Sequence, residues 1–135
     1  MDNCIFCKII DGTIPSTKLY EDDMFRVILD VSPATKGHAL ILPKAHFRNI
    51  FEMDEETASK LFVLATKVAK AMKEALNCDG LNIVQNNEEV AGQTVFHFHL
   101  HIIPRYADDG QNISWTPGTT TPEAMAAIAD LIKVS

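Results

Sequence analysis

The residues best able to do chemistry fall in one short stretch, Gln93-Thr94-Val95-Phe96-His97-Phe98-His99-Leu100-His101-Ile102-Ile103. Three of the chain's five histidines stand there, at i, i+2 and i+4. Side chains alternate faces along a strand, so His97, His99 and His101 share one side. Phe96, Phe98, Leu100 and Ile102 share the other and read as core. A half-exposed strand whose polar face happens to be histidine is the plain alternative. Three rings in register also suit two kinds of chemistry. One is a metal held by three imidazoles, as in zinc hydrolases. The other is nucleophilic and acid–base catalysis at a phosphorus or carbonyl centre. A cupin-type metal site wants a carboxylate soon after the histidine pair, and Ile102-Ile103-Pro104-Arg105-Tyr106 supplies none.

Cys4-x-x-Cys7 is a second cluster. It is either half of a zinc site, which two histidines would complete, or a pair of thiols on a short helix. Cys78 has no partner nearby and reads as a small buried residue. The three cysteines are an odd number, and Met1-Asp2-Asn3-Cys4 lacks the basic start and apolar run of a secretory signal. The expectation is a reducing, cytoplasmic setting with free or metal-bound thiols.

These residues need a frame. Apolar residues at 5, 6, 9 and 10 suggest a short helix over Cys4 to Ile10, stopped by Gly12. Lys18 to Glu21 and Phe25 to Val31, parted by Asp22-Asp23, suggest a hairpin. His38 to Lys44 reads as a third strand, ended by Pro43. Asp54 can cap a long helix to about Asn77, with an apolar stripe at Leu61, Leu64, Ala65, Val68, Met72 and Leu76. Leu81 to Asn86 and Val95 to Ile103 read as the fourth and fifth strands, the latter ended by Pro104. Thr121 and Pro122 open a C-terminal helix as cap and first helical residue. Strands in a run with one long helix between the third and fourth predict an α+β fold with a five-stranded antiparallel sheet.

At 135 residues the chain is expected to be one domain, residues 1–135. Twelve basic against eighteen acidic residues give a net charge of -6, which argues against non-specific nucleic-acid binding. No apolar run approaches the roughly 20 residues of a membrane span.

Here the chain resembles a known family. His97-Phe98-His99-Leu100-His101-Ile102-Ile103 resembles the His-φ-His-φ-His-φ-φ signature of the histidine triad (HIT) nucleotide-binding proteins, φ being apolar. Gly37-His38-Ala39-Leu40-Ile41-Leu42-Pro43-Lys44-Ala45-His46 resembles their Gly-His-x-Leu-(Val/Ile)-x-Pro-Lys-x-His strand. Asp30-Val31-Ser32-Pro33 resembles their Asp-Ile-Ser-Pro turn. Asn86 and Gly92-Gln93-Thr94-Val95-Phe96 fall where their Asn and Gly-Gln-Ser-Val-(Tyr/Phe) segments fall. The opening Cys4-Ile5-Phe6-Cys7-Lys8-Ile9-Ile10 looks like bacterial members of the Hint-like branch. The likeness spans about residues 4–106 and leaves 107–135 as a variable C-terminal segment.

The resemblance implies a HIT-like α+β fold and hydrolysis of purine nucleoside 5′-phosphoramidates or related AMP conjugates. His99 would attack the α-phosphorus and carry a transient nucleotidyl group. His101 and His38 would flank the phosphate, and His97 completes the set of active-site rings. Thr94 stands where serine is usual and could donate to a phosphate oxygen or the leaving nitrogen. Gln93 and Asn86 would contact phosphate or the bridging atom, and Asp30 would accept from both ribose hydroxyls. Ile5, Phe6, Ile9, Ile14, Ile28, Leu29 and Val31 match positions that enclose the purine, or are simply core. By the same likeness, Cys4, Cys7, His46 and His97 would hold a structural zinc, in which case His97 supports the strand. The partners implied are a small purine nucleotide and a second copy of the chain in a homodimer. Two alternatives stay open: a dinucleoside polyphosphate hydrolase of the same fold, and a purine-nucleotide-binding regulatory protein with incidental turnover.

Overall fold

The computed structural model describes residues 3–134. Met1, Asp2 and Ser135, the ends of the expected 1–135 domain, lie outside the described residues. Chain order is α1 (Ile5–Ile10), β1 (Lys18–Glu21), β2 (Phe25–Leu29), β3 (Ala39–Pro43), α2 (Glu55–Leu76), β4 (Gly80–Val84), β5 (Leu100–Arg105) and α3 (Pro122–Leu131), with short 3-10 turns at Ile50–Glu52 and Glu89–Ala91. The strands form one antiparallel sheet in the order β1-β2-β3-β5-β4. The α+β class with a five-stranded antiparallel sheet and three helices is as expected. No helix among the described residues is long and apolar enough to cross a membrane.

The two faces of the sheet are packed by different helices. Strand alternation sends Phe25, Val27, Ala39, Ile41, Leu100 and Ile102 to the α2 side, where they meet Leu61, Leu64, Ala65 and Met72. Each large aliphatic side chain so buried contributes about 1.5–3 kcal/mol. Asp54 occupies the N-cap of α2, and Asn77 ends it in the left-handed conformation at φ 50°. Alternate residues Ile28, Leu40 and Leu42 face the other way and pack against Phe6 and Ile9 of α1. The histidines lie on this α1 side.

Two expectations about the histidine strand need correction. β5 begins at Leu100, not Val95, because residues before it leave the β3 ladder. Pairing with β3 stops at Ile41↔Leu100. Phe98 N–H then donates to the Phe47 carbonyl at 2.7 Å, and the Pro43 carbonyl accepts from the His97 ring at 2.8 Å. Face alternation survives the departure: Phe98 stays in the main core and His97 on the opposite side. Phe96 does not join that core; the Arg48 guanidinium lies 4.3 Å from its ring centroid. Pro43 is the last residue of β3, as expected, whereas Pro104 sits inside β5 and does not end it. Both stand where the β3–β5 ladder has already stopped. There no partner requires the N–H that proline lacks.

Candidate functional site

His99 is buried beneath Phe6, whose ring meets it edge-on at 4.9 Å between centroids. Its Nδ1 lies 2.8 Å from the His97 carbonyl. A carbonyl only accepts, so Nδ1 carries the proton and Nε2 is left with its lone pair. Burial holds the His99 imidazole below its ordinary range, partly opposed by this same hydrogen bond. The ring is thus neutral and of fixed tautomer, with a lone pair at Nε2.

The second pair is assigned by its partners in the same way. Ala34 N–H donates to His38 Nδ1 at 2.9 Å, so His38 carries its proton on Nε2. That Nε2 lies 2.9 Å from His101 Nδ1 and 3.5 Å from Asp30 Oδ2. His101 therefore accepts at Nδ1 and keeps its own proton on Nε2. Adjacent strands bring the pair together, since Leu40 of β3 faces His101 of β5 across the ladder. The rings of His99 and His101 stand 5.1 Å apart. Burial lowers His38, against Asp30. Burial and the neighbouring rings of His99 and His38 bring His101 down to about 4.

The turn that presents His38 depends on Gly37. Its φ of +94° is left-handed, and a Cβ there would collide with the Leu76 side chain and stand 3.3 Å from Pro104. Asp30 follows β2 beside this turn, with Oδ1 accepting from Ser32 N–H at 2.8 Å. Phe6, Ile9 and Ile28 are buried together, and Ile14 packs at their edge. Ile5, at the start of α1, is half exposed.

Some expected contacts are not brought together. Val31 is 94% exposed and encloses nothing within this chain. Leu29 alternates with Ile28 and packs on the α2 side, away from the histidines. The Gln93 amide is fully used within the protein. Its nitrogen donates to the Arg48 and Val95 carbonyls, and its oxygen accepts from Glu88 N–H and the Asn49 side chain. Gln93 thus shapes the loop and has no free group for phosphate. Thr94 next to it is exposed and, with Asn3, Ile5, His46 and Val95, lines a cleft of about 600 Å³. Asn86 sits against Gly92, whose φ of +97° turns this loop.

His97 is also not free for substrate. It is fully buried, with Nε2–H given to the Pro43 carbonyl. That leaves the Nδ1 lone pair, which faces Cys4 Sγ at 3.4 Å, Cys7 Sγ at 3.5 Å and His46 Nδ1 at 3.1 Å. Cys7 Sγ and His46 Nδ1 are 3.3 Å apart. Tetrahedral zinc, with bonds of about 2.3 Å to sulfur and about 2.0–2.1 Å to nitrogen, places neighbouring donors roughly 3.3–3.8 Å apart. The four donors therefore fit zinc closely. Burial and Cys4 push the Cys7 thiol up to about 11, and burial brings His97 down to about 4. The protein alone disfavours both thiolate and imidazolium here, and a bound cation would stabilise the thiolates. His97 thus turns one ring nitrogen to the Pro43 carbonyl and the other to the Cys4, Cys7 and His46 donors.

A second set of donors, Asp30, His38 and His101, also converges. It suits a cation poorly. Metal at His38 Nε2 would need the proton on Nδ1, which already accepts from Ala34 N–H.

Backbone groups carry much of this site: the carbonyls of His97, Pro43 and Phe47, and the N–H of Ala34. No residue type announces them in a sequence. Buried Asn49, which braces Gln93, also went unmarked, since a lone asparagine has no pattern to set it apart.

Known proteins resemble this chain in sequence and fold. A solved structure of SMU.412c from Streptococcus mutans superposes with a TM-score of 0.92 at 47% identity, covering 96% of this chain and 83% of that one. A zinc-bound histidine triad family protein from Mycobacterium smegmatis has a TM-score of 0.77 at 37% identity, covering 96% of each chain. The Schizosaccharomyces pombe protein named adenosine 5′-monophosphoramidase hnt1 is 37% identical over 132 residues, 97% of this chain and 96% of that protein. The family description HIT domain matches residues 11–108, a span that takes in every residue of the site except those of the Cys4–Ile10 segment, and the chain belongs to the HIT-domain family.

Proposed function

We propose that this chain is a nucleotide hydrolase that cleaves purine nucleoside 5′-phosphoramidates, or related AMP conjugates, through a nucleotidyl group held on His99. The observation that carries this reading is the fixed tautomer of His99, with Nδ1–H tied to the His97 carbonyl and Nε2 unprotonated. A binding site alone has no use for a nucleophile held ready in that form. The name of the S. pombe relative supports the choice of phosphoramidate.

In this reading His99 Nε2 forms a bond to the α-phosphorus as the phosphorus–nitrogen bond breaks. The leaving nitrogen takes a proton, and water later releases the nucleotide and returns one. The His38–His101 pair is the proton store, since the negative phosphate beside it raises its proton affinity. His101 Nε2–H and the Thr94 hydroxyl would donate to the phosphate or leaving group. Asp30 would hold the ribose, and Phe6, Ile9 and Ile28 the base. Asn86 would act from the neighbouring loop, and Gln93 would act only by bracing it. Zinc on Cys4, Cys7, His46 and His97 would lock α1 to the histidine segment and leave the step at phosphorus to the imidazoles.

The same reading includes a cytoplasmic setting, on the odd cysteine count, and a homodimer, which the unpaired edge of β4 favours. The test sets an adenosine 5′-phosphoramidate beside diadenosine polyphosphates, for the wild type and His99→Asn. The phosphoramidate should be the better substrate. The variant should keep AMP binding and lose turnover by about 10³-fold or more. Persistent turnover in His99→Asn would overturn the reading.

A further inference from the structure

We propose that Tyr106 and Gln111 are positioning residues: they hold the turn 34–37 so that its backbone keeps the proton of His38 on Nε2. The consequence for catalysis rests on the role given above to the His38–His101 pair. That tautomer hangs on one backbone donor, Ala34 N–H, 2.9 Å from His38 Nδ1. A neutral imidazole carries its proton on either nitrogen, and the partner of one decides the other. Were Ala34 N–H to withdraw, Nδ1 would be free to take the proton. Nε2 would then turn a lone pair toward the lone pair of His101 Nδ1, 2.9 Å away, and the donation between the rings would be lost.

The turn has little of its own to hold it. Residues 30–38 form neither helix nor strand, and Lys36 is exposed. The fixed points come from residues about 70 places further along the chain. The Tyr106 hydroxyl donates to the Lys36 carbonyl at 2.7 Å. Gln111 Nε2 donates to the Ala34 carbonyl at 2.8 Å. Between them, the Thr35 hydroxyl donates to the Pro104 carbonyl at 2.5 Å. Each of three successive turn residues is therefore bonded to the segment 104–111. The Tyr106 and Gln111 bonds are exposed. Water can satisfy either carbonyl in their place, so these two bonds add little to folding. What they specify is where the Ala34 backbone stands.

The segment 104–111 is built to hold those two side chains still. Arg105 grips Asp109 from two nitrogens, Nε to Oδ2 at 2.8 Å and Nη2 to Oδ1 at 3.0 Å, a bidentate pair. The same carboxylate accepts from Tyr106 N–H at 3.0 Å and from Gln111 N–H at 2.9 Å. Arg105 also donates to the Gln111 carbonyl at 2.7 Å and, through Nη1, to the Asn82 side chain of β4 at 2.8 Å. These bonds close a short loop that turns at Gly110, with φ +72°. Arg105 lies in β5, four residues beyond His101. One strand thus carries His101 and, through Arg105, the clamp on its partner ring.

The test takes the full-length protein, isotopically labelled at the histidine nitrogens, as wild type and as the double variant Tyr106→Phe, Gln111→Ala. Proton–nitrogen spectra at about pH 8, above the ordinary histidine range, report which ring nitrogen carries the proton. Signals missing from His38→Phe identify those of His38. The wild type should show His38 protonated at Nε2 alone, and the double variant a mixture of both tautomers. The variant's kcat for an adenosine phosphoramidate should fall about tenfold, with KM little changed. His38 nitrogens alike in the two proteins would overturn the proposal, and so would a mixed tautomer with kcat unaltered. Asp54→Ala weakens the cap of α2 and leaves the turn untouched. It should lower the melting temperature and keep His38 as in the wild type. An equal shift of the His38 nitrogens there would mean general loosening and would also overturn the proposal. The spectra are taken without substrate, so they stand or fall apart from the reaction proposed for His99.

Discussion

Glu88 has an unusual backbone, and replacing it tests how the loop before the histidine segment is held. Its φ of 75° and ψ of 158° lie in a region occupied almost only by glycine. Holding a side chain there costs about 1–3 kcal/mol. Two contacts offset that cost. The ion pair to Arg48, at 2.9 Å, is nearly half exposed on both sides and contributes about 0–1 kcal/mol. The bond from the Asn49 amide at 2.8 Å contributes about 1 kcal/mol. Glu88→Ala loses both contacts and keeps the strain, so it should destabilise by about 1–2 kcal/mol. Glu88→Gly loses the same contacts and sheds the strain, at an entropic cost of about 0.5–1 kcal/mol. Glycine should therefore be the more stable variant by about 1 kcal/mol, a few degrees in melting temperature for a chain of this size. That reverses the usual order of the two residues inside regular structure. Urea unfolding of the three proteins decides it. An alanine variant as stable as glycine, or more so, would refute the strain argument.

Removing zinc from protein prepared with it, or making Cys7→Ser, should lower the melting temperature by several degrees and loosen α1. Proteolysis and thermal melts would read both, and an unchanged melting temperature would contradict a structural role for the cluster. His38→Phe removes the proton donated to His101 and should cut kcat by about 10²-fold, with a smaller change in AMP affinity, as kinetics and calorimetry would show. Stability should also depend on pH. His101 is held neutral at about 4 in the folded chain against about 6.5 unfolded. Its contribution is complete above pH 6.5 and lost as pH falls toward 4, because only the unfolded chain takes up the proton. Partial access to water reduces the loss to about 1–2 kcal/mol. His101→Asn should flatten the slope of stability in that window, and an unaltered slope would contradict the assignment.

The side-chain alternation of the histidine segment was legible in the sequence because apolar residues at every second place signal a packed face. The long helix, its Asp54 cap and the α+β order were legible for similar reasons of period and spacing. The start of β5 was not, because it depends on which carbonyls Pro43 and Phe47 offer to His97 and Phe98. Gln93 read as a phosphate contact because an amide beside a histidine cluster looks free until Asn49 and Glu88 are found using it. Leu29 and Val31 matched a pocket by position, yet one points to the α2 side and the other into solvent. Which nitrogen of each imidazole holds its proton is a property of neighbours distant in sequence, and only the fold supplies them.

The central claim is that His99 Nε2 bonds to phosphorus in every turnover. Rapid alkaline quench of the wild-type protein with a radiolabelled adenosine phosphoramidate, which spares the acid-labile phosphorus–nitrogen bond to imidazole, followed by peptide mass mapping at alkaline pH, addresses it directly. An adenylyl mass increment on His99 that forms and decays within the turnover time is the expected result. An adduct on His101, His38 or any other residue, or burst-free turnover with no adduct under single-turnover conditions, would contradict it.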